Sequence, residues 1–116
     1  MLFDFDRFKV TAKLAYRRIG ESAYSIDDAL RVFKYYFDTY EMIFREAHPA
    51  INIVQTARII EKMPYLPDGI DISPGEYELM IDQHFATIYN GGNCDYNINH
   101  FFSGQIREMR FFEVCY

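Results

Sequence analysis

From Ile26 to Ala47 the apolar residues recur every three or four positions: Ile26, Ala29/Leu30, Phe33, Tyr36/Phe37, Tyr40, Ile43/Phe44 and Ala47. That spacing draws one face of an α-helix and holds it for about six turns. A strand, with its period of two, would send half of these rings to solvent. Ser25 stands where an N-cap accepts from the first free backbone N–H groups. Asp27 and Asp28 put negative charge into the first turn, where the helix dipole favours it. His48-Pro49 is the stop, because proline pushes the residue before it out of the helical region. A helix this long has to lay its stripe on something, and the rest of the chain offers more helices.

Phe5, Phe8, Ala12, Ala15/Tyr16 and Ile19 predict a first helix from Asp4 to Ile19, ended by Gly20, with Lys9, Lys13 and Arg17 along an exposed stripe. The competing reading there is a strand through Phe8, Val10, Ala12 and Leu14, between which Lys9, Thr11 and Lys13 alternate. A third helix is expected from Ala50 or Asn52 to Lys62, with Ile53/Val54, Ala57 and Ile60 inward and Arg58 and Lys62 outward. Met63 to Gly69 carries two prolines and a glycine and reads as a rigid connection. Ser73-Pro74-Gly75-Glu76 announces a fourth helix: N-cap, proline in the first turn, and Glu76 closing a capping box. Its inward stripe is Tyr77, Met80/Ile81, His84/Phe85 and Ile88, and Asn90-Gly91-Gly92-Asn93 follows as a turn. A fifth helix is expected from Asn97 or Asn99 to Glu113. There Phe101/Phe102, Ile106, Met109 and Phe112 alternate with Arg107, Glu108 and Arg110, and Gly104 lies in the interior.

The expected fold is therefore all-α: a compact bundle of about five helices forming a single domain over residues 1–116. Eleven Phe and ten Tyr are more rings than a chain of this length can bury completely, and exposed Tyr suits an interface, including that of a homodimer. Two cysteines, Cys94 and Cys115, are too few for a disulfide framework and fit a reducing, cytoplasmic setting. Met1 to Asp6 lacks the pattern of a signal peptide, and no apolar run reaches the ~18 residues of a membrane span.

The net charge of −5 is unevenly spread. Arg7, Lys9, Lys13, Arg17 and Arg18 crowd the start against Asp4 and Asp6, whereas no Lys or Arg occurs between Lys62 and Arg107. Asp68, Asp71, Glu76, Glu78, Asp82 and Asp95 all fall in that stretch. Carboxylates along a rigid helix, with tyrosines among them, give electrostatic steering to a basic partner and area for contact. The expected partner-binding residues are Asp68, Asp71, Glu76, Tyr77, Glu78 and Asp82. The basic first helix offers the alternative of contact with nucleic-acid phosphates.

Motifs for chemistry are weak. Cys94, Asp95, His100 and His84 lack the paired spacings of a zinc site, and Cys94 with His100 lacks the further partners of a nucleophile. Asp68 to Ser73 lacks the ladder of a calcium loop, and Asn90 to Asn93 has neither the lysine nor the preceding strand of a phosphate cradle. Asp4, Asp6, Glu21, Asp27 and Asp28 leave a third reading, a Mg²⁺-dependent nuclease. The expectation is a protein without catalytic residues, bound metal or cofactor.

From Asp28 onward the chain resembles small acidic proteins carried on phages and integrative elements of Firmicutes, through Ala29–Leu66 and through the run from Cys94 to Gly104. Some proteins of that kind are anti-CRISPRs, which occupy the basic nucleic-acid channels of effectors such as Cas9. The resemblance implies an inhibitor that blocks loading of guide RNA or target DNA.

Overall fold

The computed structural model describes residues 3–89, 94–103 and 105–116. Among them are six helices and no strand: α1 (Phe5–Ile19), α2 (Ile26–Phe44), α3 (Ile53–Lys62), α4 (Pro74–Ala86), α5 (Ile98–Phe102) and α6 (Ile106–Val114). The first helix is thus a helix and not a strand. Asp4 caps it by accepting from the Arg7 N–H at 3.0 Å, and Gly20 leaves it at φ +86°, a conformation that a side chain would strain. The expected capping box of α4 forms, and a second one, not named from the sequence, opens α3. Asn52 and Gln55 exchange hydrogen bonds at the start of α3, and Ser73 and Glu76 do so at the start of α4. The second helix closes at Arg45, in the left-handed region, before His48-Pro49 is reached. The expected turn at Asn90–Asn93 lies outside the described residues.

Partners along α2 and α4 keep a constant offset. Tyr24 bonds the Ile72 carbonyl, Arg31 pairs with Glu78, Tyr35 with Asp82 and Tyr36 with His84. A separation that stays at 47–48 residues requires the two helices to run in the same direction. α1 lies antiparallel to α2, since Phe8 packs edge-on against Phe33 and Phe37 while the Tyr16 hydroxyl donates to the Tyr24 carbonyl. The principal contacts run α3–α1–α2–α4–α6–α5 and back to α3, a closed ring around one core. That core holds Phe8, Phe33, Tyr36, Phe37, Ile60, Tyr77, Met80, Ile81 and Phe101. Each such side chain contributes about 1.5–3 kcal/mol on leaving water. The connection from Pro64 to Ile72 folds back on itself: the Ile72 N–H donates to the Pro64 carbonyl, and Tyr65 and Asp71 form an isolated bridge.

Three expectations are corrected. The fifth helix is two, because Ser103 is extended (ψ 154°) and parts α5 from α6; Gly104 lies outside the described residues. The facing of α6 is also rotated: Ile106 is inward as expected, but Met109 and Phe112 are not. Arg107 and Arg110 are 5% and 6% exposed, whereas Met109 and Phe112 are each 44% exposed. The guanidinium groups turn inward because buried tyrosine hydroxyls and a helix-end carbonyl await them there. Finally, α4 ends at Ala86, so Ile88 leaves the stripe and is 92% exposed.

Candidate functional site

The parallel pairing of α2 and α4 brings two capped helix starts to one end of the molecule. Asp27 and Asp28 enter with the first turn of α2, Glu76 with that of α4, and Asp68 and Asp71 lie on the connection leading into it. Tyr24 reports the proximity of these charges. Burial first, then Tyr77, Asp28 and Glu76, push its hydroxyl well above the usual phenol range. Asp27, Asp68, Asp71 and Asp82 are exposed, while Asp28, Glu76 and Glu78 are half-buried.

The expected site residues are employed unequally. The Glu76 carboxylate serves its own capping box, where it receives the Ser73 N–H at 2.9 Å, while its carbonyl accepts from the Cys115 thiol at 3.7 Å. Glu78 holds Arg31 through two bonds of 3.0 and 3.1 Å, and Asp82 accepts from the Tyr35 hydroxyl at 2.7 Å. That bond to Asp82, ahead of burial, pushes the Tyr35 hydroxyl up to about 12. Asp68 accepts from the Ile70 N–H at 3.3 Å and shapes its own turn. Tyr77 is no surface anchor. It is 0% exposed, donates to the Met63 carbonyl at 2.7 Å and accepts from Arg107 at 3.1 Å. Its position on the inward stripe of α4 is what buries it.

A buried polar relay joins α2, α4 and α6, and its geometry assigns every proton. The Tyr36 hydroxyl donates to the Tyr96 carbonyl at 2.7 Å. Having spent its proton there, it accepts from His84 Nε2 at 3.0 Å. His84 Nδ1 is then bare and accepts from the Tyr89 hydroxyl at 2.6 Å, whose oxygen in turn accepts from Arg110 at 3.1 Å. Burial, reinforced by Arg110 and His100, lowers His84 to about 3. His48 takes the opposite tautomer. Its Nε2 accepts from the Ile98 N–H at 2.9 Å, and its Nδ1–H donates to the Pro49 carbonyl at 2.7 Å. Burial lowers its pKa too, against the bond to Pro49 and the charge of Asp95. Both histidines are buried, 2% exposed in His48 and 0% in His84, and their ring nitrogens are taken up by bonds within the fold.

On the opposite side of α2 from α4, the helix α1 exposes Arg7, Lys13, Arg17 and Arg18. Among the described residues none of these four has a carboxylate within 4.0 Å, whereas Lys9 meets Asp6 at 3.8 Å. Asp4, Asp6 and Asp27 do line one hollow, but Lys9, Arg31 and Lys34 line it with them. No group of three or more His, Cys, Asp or Glu is arranged to hold a metal ion among the described residues. Both cysteines are free thiols. No helix is long and apolar enough to cross a membrane among the described residues.

A second hollow lies between α3 and α5, about 530 Å³ in volume. Arg58 and Lys62 form its α3 wall, and Asn99, His100 and Ser103 face them from the α5 side. Sequence reading had left Arg58 and Lys62 as outward cations, because the wall opposite them is some forty residues away in the chain. No protein-family model matches this chain, and no curated protein or solved structure matches it either.

Proposed function

We propose that this chain is a non-catalytic binding protein whose acidic end engages a basic, nucleic-acid-binding surface of another protein. The reading is supported above all by the parallel register of α2 and α4, which gathers Asp27, Asp28 and Glu76 beside the Asp68–Asp71 connection. Carboxylates held on capped helix ends keep their positions without a partner, so binding costs little ordering. A surface of this kind competes with phosphates for a positively charged channel. In the specific form that the resemblance implies, the partner is a Cas9-type effector and the competitor its guide RNA or target DNA.

The test is titration of the purified protein against a Cas9-type effector with and without guide RNA. Binding to the guide-free effector, weakened by added guide, is the expected result. Asp27→Lys, Asp68→Lys and Asp71→Lys together spare the Ser73–Glu76 box and the Arg31–Glu78 pair, and this variant keeps its helicity while losing affinity. Unchanged affinity in the triple variant overturns the reading.

The unpaired cations of α1 favour a second reading, direct contact with nucleic-acid phosphates. Affinity for duplex or single-stranded probes that falls steeply with salt would support it, and no binding at ~50 mM salt would remove it.

A further inference from the structure

The hollow between α3 and α5 sets two cations against a polar facing wall, and the geometry points to a binding site for a phosphate ester of mononucleotide size. Its α3 wall carries Arg58 and Lys62, one helical turn apart and so side by side. Neither has a carboxylate within 4.0 Å among the described residues. Lys62 is held in place from across the hollow, its Nζ donating to the Phe102 carbonyl at 3.3 Å, which leaves the remaining ammonium protons for a ligand. Arg58 brings a guanidinium fork suited to two phosphate oxygens at once.

The facing wall supplies further polar groups. The side chains of Asn99 and His100 line it, and His100 Nδ1 stands 3.9 Å from Asp95, the single carboxylate of the lining among the described residues. Ile59 and Phe102, each 3% exposed, close the floor with a small apolar surface. Cations on one wall, amide and imidazole opposite and an apolar floor between match the chemistry of a nucleoside phosphate. The volume of about 530 Å³ lies inside the range of small-ligand sites, roughly 300–1,000 Å³. A free mononucleotide and one nucleotide of a single-stranded chain present the same group, and the site as described takes either. It does not depend on Asp27, Asp68 or Asp71, none of which lines it.

The experiment is calorimetric titration of the full chain with AMP, inorganic phosphate, adenosine and a short oligoadenylate. AMP or the oligoadenylate binds and adenosine does not, because the phosphate carries recognition. Binding of AMP identifies the free nucleotide as the source, and binding of the oligoadenylate alone identifies the polymer. Arg58→Gln and Lys62→Gln each weaken binding by about tenfold or more, the loss of a charge-assisted bond. Arg58→Gln breaks no side-chain bond or ion pair among the described residues, so it remains informative if Lys62→Gln disturbs the Phe102 carbonyl. Lys13→Gln with Arg17→Gln on α1 leaves binding unchanged. The proposal is overturned if no phosphate-bearing probe binds at millimolar concentration, if adenosine binds as well as AMP, or if the α1 variant loses binding while Arg58→Gln keeps it.

Discussion

Acid should unfold this protein earlier than its carboxylates alone would require, and His84 sets the size of the effect. Its folded pKa of about 3 lies below the ordinary value of about 6.5 that it regains in the unfolded chain. The unfolded state therefore binds the extra proton, and stability is complete above pH ~6.5 and falls as the pH drops toward 3. At pH 5 about 97% of unfolded and about 1% of folded molecules carry that proton, which removes about 2 kcal/mol. His48, lowered by the same burial, adds in the same sense. A total stability of 5–15 kcal/mol is typical of a domain, so the loss is large enough to measure. Urea unfolding followed by far-UV circular dichroism between pH 7.5 and 5 reads it directly, in a window above the ordinary carboxylate range. His84→Gln keeps a donor and an acceptor for Tyr36 and Tyr89 but cannot titrate, so its stability should fall less over that window by about 2 kcal/mol. The slope carries the test, whatever the absolute stability of the variant. Identical slopes for His84→Gln and the parent would refute the assignment of a buried neutral imidazole.

Long-range nitrogen–proton NMR spectra should find the two buried histidines in opposite tautomers, protonated at Nε2 in His84 and at Nδ1 in His48. Arg107→Ala strips a donor from the Lys62 carbonyl and from Tyr77 and should cost about 2 kcal/mol, whereas Met109→Ala on the outward face should stay within about 0.5 kcal/mol. The reverse ranking in chemical denaturation would contradict the orientation of α6. Ser73→Ala breaks the capping box of α4 and should remove about 1 kcal/mol, about 4 °C in melting temperature at this chain length.

What could be read from the sequence was what local physics decides. Ser25, Asn52 and Ser73 bond N–H groups within three residues of themselves, so their caps are visible in any stretch of the chain. The stripe of α2 was equally plain, since Phe33, Tyr36 and Phe37 repeat regardless of what they touch. The rotation of α6 was not, because its decisive partners are distant: Tyr77 is thirty residues from Arg107, and Tyr89 twenty-one from Arg110. Periodicity gives the repeat of a short helix but not its phase when arginines and apolar residues alternate, and arginine goes inside wherever oxygens are waiting. Tyr77 was misplaced for the converse reason. Its acidic neighbours suggested an interface, while its own place on the α4 stripe already put it in the core.

The same bonds change what the charge map means. The stretch from Met63 to Ile106 contains no cation of its own, yet α2 lends it Arg31 on the outside, and α6 lends Arg107 and Arg110 on the inside. The two kinds of loan have different effects. Arg107 and Arg110 serve phenol and carbonyl oxygens as well as Glu113, so they do not neutralise the acidic end. Arg31 does pair with a carboxylate, which takes Glu78 out of the free set and leaves Asp27, Asp68 and Asp71 as the exposed charges nearest the two helix starts. Tyr77 lies in the core, and the ring this end exposes on its connection is Tyr65, 46% exposed and bridged through its backbone to Asp71. On the proposed reading, charge and the fixed positions of the carboxylates set the rate and selectivity of encounter more than its final affinity, and Tyr65 offers contact area. An acidic end of this kind competes best with other polyanions, which approach a basic channel under the same rules.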